Sequence, residues 1–351
     1  SSIARGRAHP KFARSGRSIP EQRDGDQNRE GDDAREDLVR VPERADRGAR
    51  LHQIEPDPRQ TKDPEHEGEF RHDTLPFCHG TRLSLHRLAP QLPCRLVASW
   101  PDRYRGGMSF RLAVLSDPHL PPPRPPGARD LASKRALGWA NWRRGRHLVH
   151  RPETLDQLVA DIRDHAPDHV LVAGDLTNLA LGAEIAAARA WLDGLGPAEA
   201  VTVIPGNHDA YVPGALEVAR AAWAPFMASD DGRPGFPVVR RRGPMTLVGL
   251  SSAVPCAPFR ATGRVGARQI AALEVACHAD ERVRIVGVHH PVVMRGHPHK
   301  RLLDGDAVAG GLARARVDLV VHGHMHRPMR AMLPGGVAMV GVPSASVAPG
   351  K

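Results

Sequence analysis

Five apolar runs in this 351-residue chain each stop at a short segment built from Asp, Asn, His and Gly, and no other feature limits the fold so tightly. Leu112 to Leu115 leads into Asp117-Pro118-His119, His169 to Ala173 into Gly174-Asp175, and Ala200 to Ile204 into Gly206-Asn207-His208-Asp209. Val283 to Val288 leads into His289-His290, and Leu319 to Val321 into Gly323-His324-Met325-His326. Short apolar runs of this kind read as buried strands. The polar segments therefore fall where strands give way to loops. In open α/β sheets the crevice at the carboxyl ends of the strands is where ligands bind, so separate strands can deliver their side chains to one point.

Asp, Asn and His without Cys suit hard or borderline divalent ions such as Mn, Fe or Zn rather than a thiolate site. The segments supply seven candidate donors, too many for one tetrahedral ion. A carboxylate such as Asp175 can bridge two ions held ~3.5–4 Å apart, the arrangement in which a pair of ions activates a bridging hydroxide. Taken singly, an Asp-x-His or a His pair after a strand is more often an ordinary loop or a satisfied core histidine. The Gly-Asn-His-Asp and Gly-His-Met-His segments are more specific, because glycine frees the backbone for a tight turn while two coordinating side chains follow. His289 and His290 are adjacent, and neighbours on an extended segment point opposite ways, so either can face the site.

In this order the five segments resemble the calcineurin-like metallophosphoesterase superfamily, with its D-x-H, GD, GNH-[DE], H and GH-x-H blocks, over residues 108 to about 345. The resemblance implies a four-layer α/β/β/α sandwich, two facing mixed sheets with helices outside, and two divalent metal ions (Mn, Fe or Zn). It implies Asp117, His119, Asp175 and His326 on one ion, and Asp175, Asn207, His289 and His324 on the other. His289 is chosen over His290 because the family ligand directly follows the strand. His208 becomes the uncoordinated catalytic histidine, which stabilises phosphoryl charge or protonates the leaving group. Asp209 orients the site without coordinating. The compact spacing and the His289-His290-Pro291 run resemble the cyclic-nucleotide phosphodiesterase branch, implying a phosphodiesterase that acts on a nucleotide-like substrate through metal-bound hydroxide. Rival readings are a hydrolase of lipid-linked phosphate or pyrophosphate at a membrane surface, and a non-catalytic scaffold of the same fold. Retention of every ligand type argues against the scaffold. Nuclease activity ranks lower because no additional DNA-binding domain is evident.

Between Met108 and Lys351, helical stretches alternate with strands at the spacing of one layered α/β domain. They are Thr154 to His165, with Thr154 as its cap, then Ala183 to Leu192, Pro213 to Met227, Ala267 to His278 and Asp306 to Arg316. Val238 to Arg241 and Thr246 to Leu250 are two further strands, and Val340 to Ser346 a late one, beyond which the family would add another strand or two. Residues 1–107 differ in kind. They mix charge with few large apolar residues and contain no Met, which suggests a disordered leader or a start properly placed at Met108, with a small extra domain as the rival reading. Lys occurs at five positions against 44 Arg, as a GC-rich coding sequence would give.

The net charge of +10 divides into +2 for residues 1–107 (20 basic, 18 acidic) and +8 for the rest (29 basic, 21 acidic), which favours an anionic substrate. Four cysteines without C-x-x-C spacing suit a reducing compartment, the cytoplasm by default. Two loops carry substrate clues. In the insert Pro121 to Pro152, Lys134, Arg135, Trp139, Trp142, Arg143, Arg144 and Arg146 read either as a lid that holds phosphate and stacks on a base, or as a patch that touches an anionic membrane. The plainer reading is a solvated helix with Trp139 and Trp142 packed inward. In Arg295 to Asp304, His297, His299, Lys300 and Arg301 lie just beyond the His pair.

Overall fold

The computed structural model describes residues 110–278, 280–294 and 296–348, together with the backbone of three short strands further upstream. Those three, β1 (Asp73–Pro76), β2 (Arg82–His86) and β3 (Arg95–Ser99), pair as an antiparallel meander. Apart from them, the expected leader lies outside the described residues.

From Phe110 onward the chain alternates as the apolar runs require. Strand β4 (Leu112–Leu115) is followed by the short helices α1 (Ala128–Leu131), α2 (Arg135–Asn141) and α3 (His147–Val149), and then by α4 (Pro152–Asp164). Next come β5 (His169–Val172), α5 (Gly182–Leu195), β6 (Val201–Val203) and α6 (Ala215–Ala222), with a 3-10 turn at Ala224–Met227. The second half comprises β7 (Val238–Arg242), β8 (Met245–Leu250), α7 (Ala267–Cys277), β9 (Val283–Val288), α8 (Gly305–Arg314), β10 (Leu319–His322), β11 (Met329–Leu333) and β12 (Val337–Gly341). Helix α4 starts earlier than its composition suggests. Pro152 occupies the first turn, where its missing N–H leaves nothing unsatisfied, and Arg151 rather than Thr154 is the cap.

β4, β5 and β6 form a parallel sheet in that order, and β11-β12-β10-β9-β8-β7 a six-stranded mixed one. Alternation of side chains across each strand builds three layers of core from one sequence pattern. On β4, Leu112 and Val114 face the second sheet, where they meet Leu171, Met245, Leu247, Ile285, Leu319 and Val321. Ala113 and Leu115 face outward onto Leu155, Leu158, Ile162, Ile185 and Leu192 of α4 and α5. On β9, Ile285 points to the sheet interface while Val286 and Val288 pack beneath Ile270, Leu273, Val308 and Leu312 of α7 and α8. The result is the α/β/β/α sandwich. Leu171 is fully enclosed between the sheets, and truncating such a side chain to Ala costs about 2–5 kcal/mol. Gly287 stands opposite Leu171, where a Cβ would press against its methyl groups.

After β12 the chain crosses from the larger sheet to the smaller one. Ser344 bridges in parallel to Ser116, the Ala345 N–H donates to the Ser116 carbonyl (2.8 Å), and the Ser344 hydroxyl donates to the carbonyl of Asp117 (2.7 Å). The late strand expected at Val340 to Ser346 is thus β12 plus a tie that fixes the loop beyond β4. No described helix is long and apolar enough to cross a membrane.

Candidate metal centre

Five strand ends converge at one edge of the sandwich. Asp117 and His119 leave β4, Asp175 leaves β5, Asn207 and His208 leave β6, His289 leaves β9, and His324 and His326 leave β10. Nine described non-glycine residues have left-handed backbone, and five of them are candidate ligands: Asp117 (φ 53°), His119 (41°), Asp175 (57°), His324 (68°) and His326 (55°). Such conformations cost of order 1–3 kcal/mol each and gather at functional sites. Hydrogen bonds between loops hold them: the Asp117 N–H donates to the Gly174 carbonyl, His119 to Asp175, Gly323 to His289, and the His324 N–H to Asp117 Oδ2 (2.9 Å). Glycine is required at two of the crossings. A Cβ on Gly206 would collide with the Asp175 carboxylate, and one on Gly323 with Ser116 and the carboxylate of Asp117.

The side chains form two adjoining donor groups around Asp175. His119 Nε2 lies 3.8 Å from Asp117 Oδ1, 3.7 Å from Asp175 Oδ2 and 3.3 Å from His326 Nε2, and His326 Nε2 lies 3.2 Å from Asp117 Oδ1. On the other side His289 Nε2 is 3.3 Å from Asp175 Oδ2 and 3.2 Å from Asn207 Oδ1, with His324 completing a group that could hold an ion. Main-chain carbonyls fix the imidazoles. His119 Nδ1 donates to Thr177 (3.1 Å) and His289 Nδ1 to Ala173 (2.7 Å), turning each Nε2 inward, while His324 Nε2 donates to Lys300 (3.1 Å) and leaves Nδ1 for the site. His290 faces elsewhere. Its Nδ1 pairs with Ser252 Oγ (2.7 Å) and its Nε2 with the Ala261 carbonyl (3.1 Å), so neither nitrogen is left for an ion.

Asp209 lies beneath these groups. Its carboxylate accepts from the N–H groups of Asp175, Leu176, Thr177 and Gly206 and from the Thr177 hydroxyl, so it ties the β5 and β6 loops together. Burial and the adjacent Asp175 push its carboxyl up to about 7, against the pull of the Gly206 and Thr177 donors. His208 approaches the site from the side. Its ring centroid is 4.9 Å from that of His119, its Nδ1 donates to the Asn178 carbonyl (2.7 Å), and its backbone N–H donates to Asp175 Oδ1 (2.7 Å). Burial holds the His208 imidazole down at about 4. Tyr211 stacks on it at 5.5 Å.

The donor set fits divalent cations. Asp117 and Asp175 are both buried, and Asp117 Oδ1 has no hydrogen-bond partner, so two carboxylates share a closed space that demands positive charge. Burial alone would lower the His289 imidazole, but Asp175 and Asp117 outweigh it and raise it to about 10. At pH 7 His289 therefore carries a proton that an arriving ion must displace. His119 and His324, held by burial well below the usual imidazole range, are already neutral. Metal uptake is expected to displace the His289 proton, so apparent affinity rises with pH through the neutral range. Titration calorimetry in two buffers of different ionisation heat counts the released protons, and a His289→Ala protein that binds both ions with unchanged affinity would refute His289 as a ligand.

Sequence reasoning did not single out His150, whose ring lies 4.5 Å from that of His119 and 5.4 Å from that of His326, with Nδ1 on Ser346 Oγ (2.8 Å). Nor did it find Tyr211, Thr177 or Asn178. His150 reaches the centre only because the tie after β12 meets the end of the insert, a long-range pairing that leaves no local signal.

The calcineurin-like phosphoesterase family pattern matches residues 110–328, well over half of the chain. The chain belongs to that family. This calcineurin-like phosphoesterase is a metal-dependent enzyme, and membership implies two divalent ions, for which the two donor groups are the matching feature. No curated protein matches the sequence. Among solved structures, the chain is similar to a dimetal phosphatase from Danio rerio at 15% identity, covering 68% of this chain and 89% of that one with a TM-score of 0.47. It is also similar to purple acid phosphatase PPD1 from yellow lupin (Lupinus luteus) seeds, at 15% identity, 76% and 50% coverage, and a TM-score of 0.42. For an NAD nucleotidase from Haemophilus influenzae the values are 13%, 55% and 39%, and 0.33.

Proposed function

We propose that this calcineurin-like phosphoesterase is a phosphodiesterase for nucleotide-like substrates. In this reading Asp117, His119, Asp175 and His326 hold one ion, and Asp175, Asn207, His289 and His324 the other. The observation that carries it is the placement of Asp175: one buried carboxylate lies within 3.7 Å of His119 Nε2 and 3.3 Å of His289 Nε2, between the two groups. Bound divalent ions supply Lewis acidity and lower the pKa of coordinated water. The remaining work falls to the chain. Asn178 fixes the His208 tautomer so that Nε2 faces the substrate side. A phosphoryl anion beside His208 raises its pKa, since an opposite charge within ~4–6 Å favours the charged form, and the imidazolium then steadies phosphoryl oxygen or protonates the departing alkoxide. Asp209 keeps the two loops in register throughout.

The nucleotide-like preference is supported by the short spacing of the five segments and by the half-buried Trp139 on the insert. A second reading, action on a lipid-linked phosphate or pyrophosphate, is favoured by the outer face of the same insert. Leu137, Leu148 and Val149 are 49%, 60% and 40% exposed there, on the segment that carries the exposed Arg143 and Arg144. One experiment addresses both. Protein reloaded with Mn, Fe, Zn or Co is expected to hydrolyse bis-p-nitrophenyl phosphate and a cyclic nucleotide, and to lose both activities on chelation. Hydrolysis of a vesicle-borne phosphoester with co-sedimentation on anionic liposomes, and none of the cyclic nucleotide, would transfer the assignment to the lipid reading.

A further inference from the structure

The insert between β4 and α4 is docked onto the core at several points. Helix α2 lies so close to the β5 loop that a Cβ on Gly138 would collide with Leu179 and the Tyr211 hydroxyl. Arg135 donates to the carbonyls of Leu179 (2.8 Å) and Ala180 (2.6 Å), and Lys134 donates to that of Cys256 (2.8 Å) while its ammonium sits 4.3 Å from the Tyr211 ring centroid. Trp142 is buried, and the far end is held by the Arg151 N–H on the Ser346 carbonyl (2.8 Å). Between these anchors runs the turn Trp142–Arg146, kinked at Gly145 where the backbone leaves helical geometry, with three arginines. Arg143 and Arg144 are exposed. Arg146 turns inward.

The Arg146 Nη2 donates to His119 Nε2 at 2.9 Å, and its Nε is buried without a hydrogen-bond partner. Among the described residues it makes no ion pair with a carboxylate. A guanidinium cannot shed its charge, and its planar fork of donors matches two oxygens on one phosphorus. An imidazole nitrogen is a poor substitute. When His119 Nε2 serves an ion, Arg146 loses that acceptor and still needs an anion, at a spot shared with His208 and His119. We propose that Arg146 is a substrate-binding residue that grips two non-bridging phosphoryl oxygens, and that the insert exists to deliver it. This rests on the phosphoesterase reading of the centre and adds a residue from outside the five strand-end segments.

The test uses the 351-residue chain reloaded with Mn, inorganic phosphate as the probe, and metal counted by mass spectrometry. Arg146→Ala is expected to keep its metal and its circular dichroism, to bind phosphate about 10- to 100-fold more weakly by calorimetry, and to raise KM by a similar factor. Arg146→Lys restores only part of the affinity, because a point charge cannot form the fork. Arg268→Ala, at an exposed position on α7, changes neither. Unchanged phosphate affinity in metal-replete Arg146→Ala would overturn the proposal while leaving the enzyme a phosphoesterase. Loss of metal in both Arg146 variants would overturn it in favour of a support for His119. A metal-replete wild type that neither binds phosphate nor cleaves an ester would sink the underlying reading as well.

Discussion

Asp175→Ala is expected to empty the centre and abolish turnover. Asp175 is the carboxylate within reach of both donor groups, and its Oδ1 also receives the His208 N–H, so its loss removes the shared ligand and one of the bonds that join the β5 and β6 loops beside Asp209. Metal content should fall from about two ions per chain toward none. Lewis-acid stabilisation is worth several kcal/mol, so kcat/KM should fall by at least about 10³-fold. Mass spectrometry of the dialysed protein alongside the diester assay checks both. A variant that keeps two ions would show that Asp175 does not link them.

His208→Ala should separate binding from chemistry. The hydrogen bond that His208 gives Asp175 comes from the main chain and survives the substitution, so both donor groups remain intact. What disappears is the ring held by Asn178 and stacked on Tyr211. Metal content should be unchanged while kcat falls by about 10²–10⁴-fold, the range for loss of a general acid. A metal-free His208→Ala protein would mean that His208 is a ligand rather than a proton donor.

The parts of this centre that were legible in the sequence are those whose chemistry is local. A strand of four apolar residues followed by Asp-Pro-His announces itself, and β4 and β9 begin and end where their apolar runs do. What could not be read is carried by atoms that every residue has. The carbonyls of Ala173, Thr177, Asn178 and Lys300 choose the tautomers of His289, His119, His208 and His324, and nothing in their side chains signals it. Whether His289 or His290 faces inward likewise turns on Ser252 and Ala261 occupying both nitrogens of His290. The insert was visible as a charged, Trp-bearing segment. The direction of Arg146 was not, because the non-helical Gly145 kinks the chain and breaks the 3.6-residue period from which a helix face is read. Strand β11 was missed for a related reason: it lies at the sheet edge and alternates exposed with half-buried residues instead of running apolar throughout.

The left-handed residues around the centre set ligation and thermal endurance at odds in this chain. Asp117, His119, Asp175, His324 and His326 each hold a backbone shape that glycine or asparagine would adopt more readily, and two of them bury a carboxylate as well. Replacements at these positions relieve the apoprotein while disarming it. Melting temperature is therefore a misleading guide to fitness here: a library of this enzyme sorted for heat resistance without metal would enrich its inactive members.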